Sequence, residues 1–406
     1  MKIASVLLLF LMSLSVIYTL YATYCTWIFF KKNREERGQS RRALPPVSII
    51  KPLSGLEDDL LENVLSFCDQ DYPSYEVIFS LSERDEFAIS RLDNLKRRFP
   101  HREIRWVIAH NNRGPNYKVG NLIDAVREAK YDVLAISDGD MRVGPDYLKQ
   151  TVPLLIREKI GLVTCLYRGC HLRTIFSRLQ SLSIQTDFIP NVLLDHRLEG
   201  ISYAFGATIL TSKCVLESVG GLEPLQEYLA DDYQMGNRVS RQGYEIRLSP
   251  HLVDHMFCTK NLREQFLHHL RWAITQRICR PLGYFTSIIT HGVFLALLFL
   301  FLERFSPFAV GLFLFVCSVR IASFIFLNRT VIHNDEAVPY FWLVPLNSLL
   351  NTGIWFLSLF INTVHWKNHR FRILKGGKIC EVPVGSGEET QVESGKEDNK
   401  RACLEN

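Results

Sequence analysis

The run LAISDGDMRV, residues 134–143, places two carboxylates, Asp138 and Asp140, one residue apart directly behind an apolar stretch. At that spacing they can share a divalent cation that also takes phosphate oxygens. The plainer alternative is an Asp-Gly turn with solvated carboxylates. A second acidic pair, Asp231 and Asp232, lies in YLADDYQMG. On its own it reads equally as the acidic start of a helix. A third stretch, LREQFLHHLRWAITQR at 262–277, has helical spacing and sets Arg271 beside Trp272. Such a helix can lie on a membrane with Trp at the interface, and it can also offer Arg to a diphosphate at a pocket edge. The sequence contains no Gly-x-Gly-x-x-Gly, Gly-x-x-x-x-Gly-Lys, His-Glu-x-x-His or Gly-x-Ser-x-Gly. A nucleotide site in this chain therefore relies on side chains and metal.

The elements that must hold these residues are legible as alternating runs. VSIIKPL (47–53), YEVIFSLS (75–82), IRWVIAH (104–110), YDVLAISD (131–138) and IGLVTCLY (160–167) read as buried strands. Between them LEDDLLENVLSFC, FAISRLDNLKRRF and YKVGNLIDAVREA carry apolar residues at helical spacing. Alternation of this kind predicts an α/β domain over 47–283, with a largely parallel sheet and helices on both faces. Ligands of such sheets sit at the carboxyl ends of the strands, which is where Asp138 and Asp140 fall.

Around this block the chain turns apolar. Residues 3–30 hold no charge and are long enough to cross a bilayer core of about 30 Å. They run into KKNREER rather than a small-residue cleavage site, so residues 1–30 read as an uncleaved anchor and 31–46 as a basic, proline-stiffened linker. Lys31, Lys32, Arg34, Arg37, Arg41 and Arg42 put the central block on the cytoplasmic side by the positive-inside rule. Three further apolar segments, 284–302, 306–327 and 340–364, make up the region 284–365. Three full spans would leave the basic flank WKNHRFRILKGGK outside. One segment, 284–302 or 340–364, is therefore expected to be interfacial or re-entrant. The end of region 366–406 is polar and reads as a disordered tail. A net charge of +5 suits anionic lipid and gives no reason to expect nucleic acid. The ten cysteines are scattered without a CxxC pair, so free thiols are expected.

With the three stretches in this order between an anchor and C-terminal apolar segments, residues 45–290 resemble membrane-bound family 2-like glycosyltransferases. More narrowly, the chain is similar to the ceramide glucosyltransferase family (family 21). The carrying motifs are VSIIKPLSGLEDDLLENVLSFCDQDYPSYEVIF, AISDGDMRV, YLADDY and HHLRW. The resemblance implies a GT-A fold (a Rossmann-like catalytic domain), a UDP-sugar donor, Mn²⁺ or Mg²⁺, and inverting transfer to a lipid hydroxyl. Glucose is the first sugar it suggests and ceramide the first acceptor. Carried residue by residue, it implies that Asp138, with Asp140, meets the metal and diphosphate, that Asp232 is the general base with Asp231 structural, and that Arg271 and Trp272 close the site. Asn116, Lys118 and Asn121 in GPNYKVGNL match a stretch near the donor, and Asp85 or Glu86 stands where a uridine-binding acid is expected. His268 occupies a position that family members usually fill with Gln or Arg. That residue, CLYRG and the full Asp-Gly-Asp resemble a bacterial hopanoid-pathway branch, which implies the alternative of N-acetylglucosamine passed to a lipid headgroup. A processive polysaccharide synthase is the second alternative, although it would need more spans to line a polymer channel. Nothing in the sequence fixes an oligomeric state.

Overall fold

The computed structural model describes residues 3–36, 44–53, 58–110, 114–257, 262–366 and 369–382. The middle of the expected linker and the tail from 383 onward lie outside the described residues. Strands β1 (Val47–Leu53), β2 (Tyr75–Leu81), β3 (Glu103–Ile108), β4 (Val133–Ile136), β5 (Met141–Arg142), β6 (Ile160–Cys170), β7 (Ile209–Ser212) and β8 (Glu245–Met256) form one sheet in the order β3-β2-β1-β4-β7-β6-β8-β5. Helix α1 (Ile3–Glu36) precedes the sheet, and α2 (Asp58–Cys68), α3 (Glu86–Arg98), α4 (Tyr117–Glu128) and α5 (Tyr147–Leu155) alternate with its strands. Then come α6 (Ile175–Ser183), α7 (Ile189–Leu198), α8 (Lys213–Ser218), α9 (Asp231–Arg241) and α10 (Leu262–Cys279). The C-terminal helices are α11 (Pro281–Thr286), α12 (Gly292–Leu302), α13 (Pro307–Leu327) and α14 (Val344–Ser358).

Every residue of β1, β2 and β4 is buried, as strands covered on both faces must be. On one face Val64, Phe67, Leu92, Tyr147 and Leu148 of α2, α3 and α5 pack on the sheet. On the other, Val119, Leu122, Val215, Met235 and Val239 of α4, α8 and α9 do so. The expected two-sided α/β layering is therefore present, with one correction to the largely parallel sheet. β1–β4 run parallel, but β7 is antiparallel to both β4 and β6, and β5 is antiparallel to β8. The strand β7 had no place in the sequence reading, being four residues long and preceded by a glycine-containing stretch. The order reverses between β1 and β4, and at such a switch point the diverging loops open a crevice at the strands' carboxyl ends.

Among the described residues two helices are long and apolar enough to cross a membrane, spanning Ile3–Asn33 and Pro307–Ile332. The expected segment 284–302 is instead a helix pair bent by 54° around His291. Segment 340–364 holds α14, only 15 residues long, with Pro345 in its first turn. Helix α1 packs against α7, α12 and α13. Between α6 and α7 lies a π-helical turn, Ile184–Phe188, whose Ile184 joins Phe29, Leu166, Leu248 and Leu327 in a cluster that ties sheet to spanning helices. Arg168 of β6 donates through Nη1 to the carbonyls of Ile332 and His333, at 2.7 and 2.8 Å, capping the end of the α13 span.

After α14 the chain returns to the α/β unit. Strands β9 (Thr363–Trp366), β10 (His369–Ile373) and β11 (Ile379–Val382) make a small antiparallel sheet. Val364, Phe371 and Ile379 pack on Leu270 and Ile274 of α10 and on Leu229. The Leu229 amide donates to the Gly377 carbonyl at 3.2 Å. Cysteines 25, 68, 165, 170, 214, 279 and 317 are free, as expected, whereas Cys380 is disulfide-bonded, against that expectation.

Candidate active site

Strand β4 ends at Ile136, and the chain turns through Asp138-Gly139-Asp140 into β5. Because Met141 pairs with His255 in the β5–β8 register, the turn is drawn across the sheet's carboxyl edge. Lys51, fully buried in β1, holds it from beneath. Its Nζ donates to the carbonyls of Asp138 at 2.6 Å and Met141 at 3.1 Å, and lies 3.9 Å from the Phe67 ring centroid. Burial lowers the Lys51 pKa to about 7 against the pull of Asp140 and Asp138.

Lys118 gathers the two acidic motifs. Its Nζ lies 2.8 Å from Asp138 Oδ1 and 3.0 Å from Asp231 Oδ2. Burial opposes its charge, but Asp138, Asp231 and Asp232 outweigh burial and hold the ammonium well above the usual lysine range. Asn116 caps α4 by accepting from the Val119 amide, and its Nδ2 donates to the Tyr228 carbonyl at 2.9 Å, next to the second acidic motif. Asn121, one turn beyond Lys118, is buried and its Oδ1 has no hydrogen-bond partner.

The pair at the head of α9 is divided by its surroundings. Asp231 is buried against Lys118. Asp232 has no cation within 4 Å among the described residues and accepts from the Gly206 amide at 2.8 Å. Burial first, then Asp231 and Asp138, raise its pKa to about 6, with Lys118 opposing. Gly206 lies so close to the other motif that a Cβ there would stand 2.5 Å from Asp138 Oδ2. The N-cap of α9 is Ala230, so neither aspartate serves as the side-chain cap that the alternative reading required.

Asp140 faces the third motif. Its Oδ2 lies 3.2 Å from His255 Nε2, while its Oδ1 is enclosed with no partner among the described residues. Burial disfavours its charge, yet His255, Lys51 and His268 together hold the carboxyl below the usual range. His255, Tyr167, His268 and Trp272 form an aromatic wall, with Trp272 centred 4.5 Å from His268 and 6.2 Å from both His255 and Tyr167. His268 bonds through Nδ1 to Gln180 Nε2 at 3.0 Å, and burial keeps it well below the usual histidine pKa. Arg271 makes no ion pair within 4 Å among the described residues. It lies 5.5 Å from the Trp366 ring of β9, in the field of Asp140, Asp138, Asp232 and Asp231.

Two expected residues stand apart. Asp85 is the N-cap of α3, accepting from the amides of Phe87 and Ala88 at 3.0 and 3.2 Å. Glu86 pairs with Arg84 on the surface. Neither bonds to the Lys118 cluster among the described residues. Lys51, Gly206, Tyr167 and His255 were missed by the sequence reading. A lone cation inside the apolar run VSIIKPL was a usable signal for Lys51; the other three carried none.

Among the described residues no three His, Cys, Asp or Glu side chains form a ready-made metal cage. The oxygen donors nonetheless suit a hard cation, and the unpartnered, enclosed Oδ1 of Asp140 is a vacant acceptor at the expected place. Such an ion would take its remaining oxygens from a diphosphate and water.

The sequence model of Glycosyl transferase family 21 matches residues 7–379. Ceramide glucosyltransferase 1 of Caenorhabditis elegans is 24% identical over 342 residues, covering 83% of this chain and 73% of that protein. Ceramide glucosyltransferase 3 of the same organism is 24% identical over 405 residues, covering 93% and 82%. Among solved structures, mannosyltransferase PcManGT from Pyrobaculum calidifontis in complex with GDP-Man and Mn²⁺ aligns at a TM-score of 0.45 and 16% identity, covering 86% of this chain and 99% of that one.

Proposed function

The chain belongs to glycosyl transferase family 21, and on that premise we propose that it moves a sugar, glucose first, from a UDP-sugar to the hydroxyl of a membrane lipid such as ceramide, inverting the anomeric centre. The observation that carries this reading is Lys118, whose Nζ joins Asp138 and Asp231 and so brings the two acidic motifs into one crevice. Both Caenorhabditis elegans relatives are named for transfer to ceramide.

Asp232 takes the acceptor's proton. Raised to about 6, its carboxyl is ionised at neutral pH and remains a stronger base than an ordinary aspartate. As the acceptor oxygen bonds to the anomeric carbon, the bond from that carbon to the β-phosphate oxygen breaks and UDP departs on the opposite face. Arg271, free of ion pairs among the described residues, turns toward the departing diphosphate and offsets its charge. Trp272 and His268 wall the crevice and exclude water. Asp138 and Asp140 would hold Mn²⁺ or Mg²⁺, which when bound supplies positive charge to the diphosphate. Lys51 fixes the turn that carries both. The basic flank of α1 supports a cytoplasmic face for this chemistry.

The test is to incubate membranes carrying the protein with labelled UDP-glucose and UDP-N-acetylglucosamine, Mn²⁺ or Mg²⁺, and to identify the labelled lipid. A β-linked glucosyl lipid is the expected product. Labelling from UDP-N-acetylglucosamine alone would move the protein to the hopanoid-type alternative, and a polymer would move it to a synthase.

A further inference from the structure

Arg271 lies in the field of four aspartates, Asp140, Asp138, Asp232 and Asp231, yet forms no ion pair within 4 Å among the described residues. A long cation on rotatable bonds is drawn toward such carboxylates. Pairing with one of them would cancel a charge the reaction needs and leave a diphosphate without its partner. Some contact must offset that pull. The Arg271 guanidinium stands over the ring of Trp366, 5.5 Å from its centroid, within the range of a cation–π contact.

The fold delivers Trp366 to that place. Arg277, further along α10, donates through Nη1 to the Leu359 carbonyl at 2.9 Å and through Nη2 to the Ile361 carbonyl at 3.1 Å. The chain leaving α14 is thus tied to α10 before β9 begins. Side chains alternate along a strand, which puts Val364 and Trp366 on one face of β9. Val364 is buried with Leu270 and Ile274 of α10, so the next residue on that face comes to Arg271. Phe371 of β10 backs the indole, meeting it edge-on with centroids 6.3 Å apart. The same small sheet touches the neighbours of the other motifs. Glu381 of β11 accepts from Tyr117 Oη at 2.8 Å, beside Lys118, and the Gly377 carbonyl accepts from the Leu229 amide ahead of Asp231.

We propose that Trp366 is a positioning residue for Arg271: its ring face holds the guanidinium off the aspartates and keeps it available to the β-phosphate of the donor. This rests on the UDP-sugar reading above and adds the group that keeps its cation free. Trp366 touches neither sugar nor acceptor in this role and acts through Arg271 alone. The negative face of the ring is the operative part, so an aliphatic residue cannot replace it, whereas another aromatic can in part.

The experiment uses the full chain in nanodiscs with Mn²⁺, titrated calorimetrically with UDP and with UMP, which lacks the β-phosphate. Trp366→Leu should weaken UDP by roughly three- to thirtyfold, the range of one cation–π contact, and leave UMP unchanged. Trp366→Phe should restore part of the loss. In an Arg271→Met background, Trp366→Leu should cost UDP binding nothing further. Equal losses for UDP and UMP, or additive losses in the double variant, would overturn the proposal. If the leucine variant does not fold, progressively fluorinated tryptophan placed at 366 keeps the shape and strips the ring face of its negative charge. UDP affinity should then fall in step with fluorination, and a flat series counts against the proposal. A wild type that binds no UDP would instead sink the UDP-sugar reading. Trp366 is then judged by the side-chain Nε–H resonance of Arg271, assigned through its loss in Arg271→Met: an upfield ring-current shift supports the placement, and an unshifted resonance refutes it.

Discussion

Asp232 differs from Asp231 in its surroundings rather than its chemistry. One carboxylate pairs with Lys118, and the other sits in the repulsive field of its neighbours with, among the described residues, only backbone donors. A carboxyl raised to about 6 is protonated below that pH and cannot accept a proton there. The rate should therefore be flat above pH 6 and fall about tenfold per unit below it, read from a pH profile of kcat/KM. Asp232→Asn should lower kcat by roughly 10²–10⁴-fold while UDP-sugar binding persists; turnover near the wild-type rate would remove it as base. Gly206→Ala tests the contact between the two motifs. The added methyl would stand 2.5 Å from Asp138 Oδ2, so kcat should drop at least about tenfold, one misplaced catalytic group being enough, while a thermal melt shows the variant still folded at the assay temperature. At this scale the motifs were readable because each is compact in sequence. Their meeting was not, because Lys118 and Asp231 are joined only by the fold. His255 was invisible too, placed against Asp140 by strand register rather than by any local pattern.

Among the elements, those with strong periodicity were legible. β1 has the bounds read from VSIIKPL, and α4 and α10 lie where the spacing put them. β7 was not, since four residues give too little alternation and its direction depends on which slot in the sheet remains open. The C-terminal sheet bears on the conflict between three apolar segments and a basic flank. Strands β9–β11 pack on α10 and Leu229, so the chain before α11 and the chain after α14 end on the same side. Crossings between them would then be even in number, which the bent pair 281–302, taken as one broken span, and α13 would supply, leaving the 15-residue α14 as the segment that need not cross. A cysteine at Phe305, at the head of the α13 span, should label from the opposite side to one at Arg372 in β10, using a membrane-impermeant maleimide on sealed vesicles. Labelling of both from one side would refute α13 as a crossing.

For the molecule as a whole, the membrane helices do more than tether the sheet. Arg320 is the one charge within the apolar segment 306–327, and its partner Asp187 lies on the turn whose next residue, Phe188, meets Phe205 edge-on beside Gly206, the residue whose amide holds Asp232. Removing one partner strands a largely buried charge, so Arg320→Leu should destabilise the detergent-solubilised protein by about 3 kcal/mol. The double variant Arg320→Leu, Asp187→Leu should recover most of that loss in the same melt. A cost for the double variant equal to the sum of both singles would show that the pair acts independently.

The return of β9–β11 also sets an order of assembly. Trp366, which lies against Arg271, and Gly377, which holds Leu229 beside the second acidic pair, are synthesised after every membrane helix. A growing chain thus has the aspartates of both acidic motifs long before it has the strand that lies against Arg271. The contact between Trp366 and Arg271 forms only once the C-terminal helices have been made and the chain has come back to the sheet it left.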